Sequence, residues 1–149
     1  MSKNILVTTD LSSSSKGAIE LALKLCRDMA CDLILLHSYR LTNKKGEDVV
    51  AWKRMIEAEA RAEFSLIEDN LLKASGIKYT VKIEVGFVAD RVEEIINKNE
   101  IIFLVTDRLM YSRSKATFDE LVECTDVPIV ISPFKMTKDA GGCLRPLEK

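Results

Sequence analysis

The chain has 149 residues, 47% of them apolar, with 22 Lys plus Arg against 23 Asp plus Glu and a formal charge of −1. That length suits one domain around one core, and the apolar share excludes a disordered chain. The balanced charge argues against nucleic acid or a membrane surface as partner, since even a basic stretch such as Arg108 to Lys115 holds only three cations.

The first ten residues, MSKNILVTTD, run straight into a strand-like apolar segment. A charged-then-apolar leader is missing, as is any run near the roughly 20 apolar residues that a spanning helix needs, so a cytoplasmic protein without a membrane partner is expected. Ile5-Leu-Val reads as a buried strand ending at Thr8, Thr9 and Asp10. Ser12 to Ser15 offer hydroxyls for a helix start, and Ala18, Ala22, Leu25, Cys26 and Met29 then fall at helical spacing. Leu33 to Leu36 is a second buried strand, ending at His37-Ser-Tyr.

Polar residues from Thr42 to Asp48 form a loop before the longest helix, whose inward stripe is Trp52, Ile56, Ala60, Phe64, Ile67 and Leu71. Gly76 suits the left-handed residue after that helix. Ile77, Tyr79, Val81, Ile83 and Val85 alternate with polar residues, which predicts a strand at a sheet edge. Val88 to Asn97 reads as a helix with Val92, Ile95 and Ile96 inward, and Ile101 to Val105 as a central strand. Lys115 to Cys124 is a fourth helix with Phe118, Leu121 and Val122 inward, and Val127-Pro-Ile-Val-Ile a fifth strand. Pro128 lacks an N–H, which favours a strand start or an edge position.

Strands and helices thus alternate five to four, and continuous apolar runs mean strands covered on both faces. The expected fold is α/β, a doubly wound, mostly parallel five-stranded sheet with helices on each side. One domain is expected over residues 1–133, followed by a loosely ordered tail over 134–149 that contains Gly141-Gly142 and Pro146. The cysteines Cys26, Cys31, Cys124 and Cys143 form no CxxC, and His37 is the single histidine, so neither a disulfide framework nor a metal site is expected. Cys143, near the polar terminus, is the expected exposed thiol.

The opening ILVTTDLSSSSKGAIELALKLCRDMACDLILLHSY resembles the first βαβ unit of universal stress proteins: a strand, an Asp (Asp10), a Ser-containing helix start (Ser12 to Ser15), and a second strand ending in Leu36-His37. Glu84-Val85-Gly86, the following Val92-Glu-Glu-Ile-Ile and the closing VPIVIS with Pro128 continue the resemblance over roughly residues 3 to 133. It implies a Rossmann-like sheet of the adenine nucleotide alpha hydrolase type, order 3-2-1-4-5, and a homodimer through the fifth strand. One branch of that family binds ATP and another does not.

In such a sheet ligands bind beyond the carboxyl ends of the strands, where the strand order reverses. The candidate binding residues are Thr9, Asp10 and Ser12 after strand 1, and Thr106, Arg108 and Lys115 after strand 4. The ATP-binding branch carries Gly-x2-Gly-x9-Gly-(Ser/Thr) after strand 4, because glycines let the backbone approach phosphates and the next helix start holds them. Here that place reads VTDRLMYSRSKAT, with no glycine between Gly86 and Gly141, and Asp107 adds negative charge. No cofactor is therefore expected, ATP included. Two readings of the loop cations stay open: a solvated charged loop, or phosphate binding through Arg108, Ser112, Arg113, Ser114 and Lys115. Asp10 likewise either holds a ligand or caps the first helix. His37 has no Ser or Cys partner set by a motif, so no catalytic residue is assigned.

The functional expectation is a non-enzymatic stress-response regulatory module that acts through a protein partner or small effector. It would be a homodimer paired through Val127, Ile129 and Ile131, since an apolar edge strand needs covering. The alternative is a nucleotide-binding protein for ATP or AMP with a degenerate phosphate loop. A redox-responsive module using Cys143 or Cys124 is the third reading.

Overall fold

The computed structural model describes residues 2–12, 15–41, 48–108, 115–132, 136–138 and 144–146. Five strands, β1 (Lys3–Thr8), β2 (Asp32–Tyr39), β3 (Tyr79–Val85), β4 (Glu100–Asp107) and β5 (Ile129–Ser132), form one sheet of order β3-β2-β1-β4-β5. Every neighbouring pair is parallel: Ile5 lies opposite Leu33, Leu35 opposite Val81, and Val105 opposite Val130. A register shift between Asn4 and Ile5 skips Ile102, so Asn4 pairs with Ile101 but Ile5 with Phe103.

Four helices cover the two faces. On one side α1 (Ser15–Met29) and α2 (Val49–Ile67) enclose a cluster built on Ile5, Val7, Ile19, Cys26, Leu33, Leu35, Phe64 and Val105. On the other, α3 (Val88–Lys98) and α4 (Lys115–Cys124) enclose Leu6, Ile34, Leu36, Val92, Ile95, Leu104 and Leu121. β1 and β4 are buried on both faces because their alternating side chains feed both clusters. This is why they read as unbroken apolar runs.

The expected stripes hold with three local departures. In α1, Ala18, Ala22 and Cys26 are buried, but Met29 is 46% exposed, because the helix ends there and Ala30 turns the chain with a positive φ of 55°. In α4 only Leu121 is buried; Phe118 is half-buried and Val122, a third of a turn from Leu121, is exposed. In α2, Ala60, Phe64 and Ile67 are buried as the spacing predicts, with Trp52 and Ile56 half-buried. The next inward residue is Leu72, 1% exposed, while Leu71 is only half-buried. The cause is a π-helical turn over Glu68–Leu72, which inserts one residue into the helix and rotates Leu72 onto the core face. One further turn, Lys73–Ser75, ends at Gly76 with a φ of 73°, the left-handed residue expected there.

Asp48 caps α2, accepting from the N–H groups of Val50 (3.0 Å) and Ala51 (3.3 Å). Two tyrosine hydroxyls tie α2 and the turn that follows it to the sheet: Tyr39 donates to Glu57 Oε2 and Tyr79 to Glu68 Oε2, both at 2.6 Å. β3 is an edge strand, as its alternation predicts, and β5, which starts directly after Pro128, is the other edge. After the five-stranded sheet, β6 (Met136–Lys138) and β7 (Leu144–Pro146) pair antiparallel as a separate two-stranded sheet, Thr137 opposite Arg145. None of the described helices is long and apolar enough to cross a membrane.

Candidate functional site

The strand order reverses between β1 and β4, and the residues that follow both strands meet at the carboxyl edge of the sheet. The β1–α1 turn is held by its own side chains. Thr9 Oγ1 accepts from the Leu11 N–H at 2.9 Å and donates to Ser15 Oγ at 2.7 Å, and Ser15 Oγ donates to the Ser12 carbonyl at 2.8 Å. Asp10 Oδ1 accepts from both the N–H and the hydroxyl of Ser12, at 2.9 and 2.5 Å. This network drives Leu11 to a φ of 65°, a left-handed conformation that a leucine adopts only when its surroundings impose it.

Asp10 therefore organises the turn through Ser12, three residues ahead of the first described residue of α1, and its carboxylate sits exposed at the rim. His37 supports the turn from beneath. Its Nδ1 lies 3.0 Å from the Thr9 carbonyl, and since a carbonyl only accepts, Nδ1 carries the hydrogen. The Thr9 N–H donates in turn to the Leu36 carbonyl at 2.9 Å.

Thr9 and Asp10 line a cavity of about 70 Å³ together with Thr8, Leu36, Ser38 and Val88. Ser38 is fixed by a 2.6 Å bond to the Gly86 carbonyl, at the point where Gly86 takes a φ of 136° between β3 and α3. A side chain there would press on Arg91, whose Nε would lie 3.3 Å from an added Cβ. Arg91 pairs with Glu94 at 3.0 Å, and Arg40 stacks over the Phe87 ring at 4.1 Å. The cavity lining itself carries hydroxyls and the Asp10 carboxylate, with no cation among its residues.

The remaining predicted residues lie outside this cavity. Thr106 is fully buried, its hydroxyl 3.3 Å from the Asp107 carbonyl. Asp107 is buried beside Ser132, its register partner on β5, and Ser132 in turn sits close to the backbone of α1 at Gly17. Arg108 and Lys115 are exposed, the first after the end of β4 and the second at the start of α4. The expectations for Ser112, Arg113, Ser114 and Cys143 lie outside the described residues, as do Ser13 and Ser14.

Sequence reasoning missed Leu36, Ser38, Val88 and the Thr9–Ser15 pair. Ser38 left a signal, a hydroxyl residue closing the apolar run of β2. Val88 left none, because its place at the cavity follows from the turn at Gly86. A second, wider groove of about 320 Å³ runs between α2 and the β3 edge, lined by Arg61, Phe64, Ser65, Glu68, Tyr79, Val81 and Ile83. Among the described residues no cluster of three or more His, Cys, Asp or Glu could hold a metal ion.

Known proteins share this fold. The universal stress protein UspA from Lactobacillus plantarum superposes with a TM-score of 0.70 at 18% identity, over 87% of this chain and 97% of that one. A universal stress protein from Archaeoglobus fulgidus in complex with dAMP gives 0.63 at 16%, over 87% and 96%. A universal stress protein in complex with cAMP gives 0.62 at 18%, over 87% and 95%. At these identities the likeness shows a shared fold. No curated protein matches the chain. The profile of the Universal stress protein family matches residues 1–113, three quarters of the sequence, and the chain belongs to that family.

Proposed function

We propose that this chain is a homodimeric regulatory module that has given up the ATP-phosphate cradle of its family and acts in stress response through a protein partner or a small effector. The observation that carries this reading is the glycine-free stretch from Phe87 to Ala140, which covers the whole of the segment where phosphates would be cradled. Each side chain there keeps the backbone from approaching a phosphate. Two further features support it. The family match ends at residue 113, within that segment. The cavity at the strand ends, about 70 Å³, has room for about two waters, whereas ligand pockets span roughly 300–1,000 Å³.

Dimerisation would use the open edge of β5. Ile129 and Val130 are half-buried and Ile131 is 37% exposed, so a two-fold copy of this strand would cover an apolar edge; Val127 lies just ahead of the strand and would border the contact. A monomer by light scattering at high micromolar concentration would remove this part of the proposal.

The second reading is nucleotide binding with a degenerate phosphate loop, favoured by the dAMP and cAMP complexes of two structural relatives. Thr9, Asp10 and Ser12 would then meet the nucleoside while the exposed Arg108 and Lys115 bordered its phosphates, with Thr106 buried beneath them. Calorimetric titration with ATP, with and without magnesium, separates the two. Neither heat nor a thermal shift at millimolar ATP is expected. A micromolar dissociation constant would overturn the first reading and assign phosphate recognition to Arg108 and Lys115.

A further inference from the structure

α1 ends in a turn that brings two cysteines to one place. The Cys31 N–H donates to the Cys26 carbonyl at 2.9 Å, across Ala30 in the left-handed conformation. A six-residue hydrogen bond of this kind is the Schellman closure of a helix, in which the residues at its two ends place their side chains in contact. Those residues are usually apolar; here both are thiols. A disulfide needs α carbons about 4.4–6.8 Å apart, and this closure brings the two ends of the turn together.

The surroundings isolate the pair. Cys26 is fully buried and Cys31 is 4% exposed, and both belong to the core cluster under α1 and α2. The thiols are anchored only loosely, Cys26 to the Asp32 carbonyl and Cys31 to the Met29 carbonyl, each at 3.4 Å. Both are free thiols in this structure. We propose that Cys26 and Cys31 form a dithiol–disulfide couple that locks the end of α1 to the start of β2 when the thiol poise of the surroundings turns oxidising.

The step is an exchange with a low-molecular-weight disulfide such as oxidised glutathione. The thiolate of Cys31, the less buried of the two, attacks one glutathione sulfur and releases the other glutathione as a thiol. The thiolate of Cys26 then attacks Cys31 Sγ and releases the second. The two cysteines lose two protons and two electrons together, and one glutathione disulfide becomes two glutathione thiols. Burial, with Cys31 and Asp32 alongside, pushes the Cys26 thiol up to about 12, and burial also raises Cys31. The thiolate fractions are small at neutral pH, so the couple answers a sustained change of poise rather than a brief pulse of oxidant.

The test equilibrates the full chain, carrying Cys124→Ser and Cys143→Ser, with glutathione buffers from reducing to oxidising. Samples are quenched in acid and alkylated in denaturant. The expected result is a joint loss of both alkylatable thiols and a mass two hydrogens below the reduced protein. Two alkylatable thiols in the most oxidising buffer, or a stable glutathione adduct on Cys31, would overturn the proposal. Peptide mapping of the oxidised, unsubstituted chain decides the same question without substitutions: a Cys26–Cys31 link is expected, and a link of either residue to Cys124 or to a second chain refutes it.

Discussion

Replacing Leu72 by alanine should cost far more stability than replacing Leu71, although a regular helix with Ala60, Phe64 and Ile67 inward would give the reverse order. The π turn over Glu68–Leu72 is the reason. Leu72 is 1% exposed within the core cluster, so Leu72→Ala removes a fully buried side chain and leaves a space that the sheet cannot close; the expected cost is about 3 kcal/mol. Leu71 is half-buried at the margin of that cluster, and about 1 kcal/mol is expected for Leu71→Ala. For a domain of this size the two changes correspond to falls of roughly 6–12 °C and 2–4 °C in melting temperature. Urea unfolding followed by far-ultraviolet circular dichroism measures both, with a common slope as the check that the unfolding transition is unchanged. Equal costs, or a larger one at Leu71, would show that the helix runs on without the inserted residue.

Ala30→Gly should stabilise the fold by about 1 kcal/mol, because Ala30 holds a φ of 55° at the end of α1 and glycine takes that conformation without a clash; thermal melts check it, and a lower melting temperature would contradict the geometry. Tyr39 is held un-ionised to about 12 by burial and by its bond to Glu57, against an ordinary value of 10.0. The folded state thus keeps this proton more tightly than the unfolded chain, so the stabilisation is complete below pH 10 and is lost as pH rises through about 12. Unfolding free energies measured across that window should fall less steeply in Tyr39→Phe, which at pH 7 should cost about 1 kcal/mol for the lost hydrogen bond.

Where one side chain alone decides burial, the sequence was a sufficient guide. β1, β2 and β4 are continuous apolar runs because both their faces are covered, and the alternation of Tyr79 to Val85 marked the edge strand. Pro128 marked the start of β5. What could not be read are features set by contacts between distant residues. Nothing in Glu68-Asp-Asn-Leu-Leu announces an inserted residue; it is accompanied by the Tyr79–Glu68 bond and the burial of Leu72. Leu11 and Ala30 carry positive φ without being glycine, so composition hid both turns. At the candidate site Thr9 and Asp10 were legible as the end of a strand. The division of labour there was not, since Asp10 acts on Ser12 and Thr9 on Ser15.

The strand order also sets a timetable for synthesis. β1 pairs with β2 on one side, but its other side waits for β4, where Lys3 lies opposite Glu100. At about 5–20 residues per second, the ribosome needs roughly 5–20 s to supply the intervening chain. During that interval β1 and β2, and later β3, can assemble beneath α1 and α2 while one edge of the central strand stays open. An open edge of this kind is a template for a neighbouring nascent chain. The early half of this protein is therefore the part with most to gain from a chaperone at the ribosome exit, and the arrival of β4 ends the need.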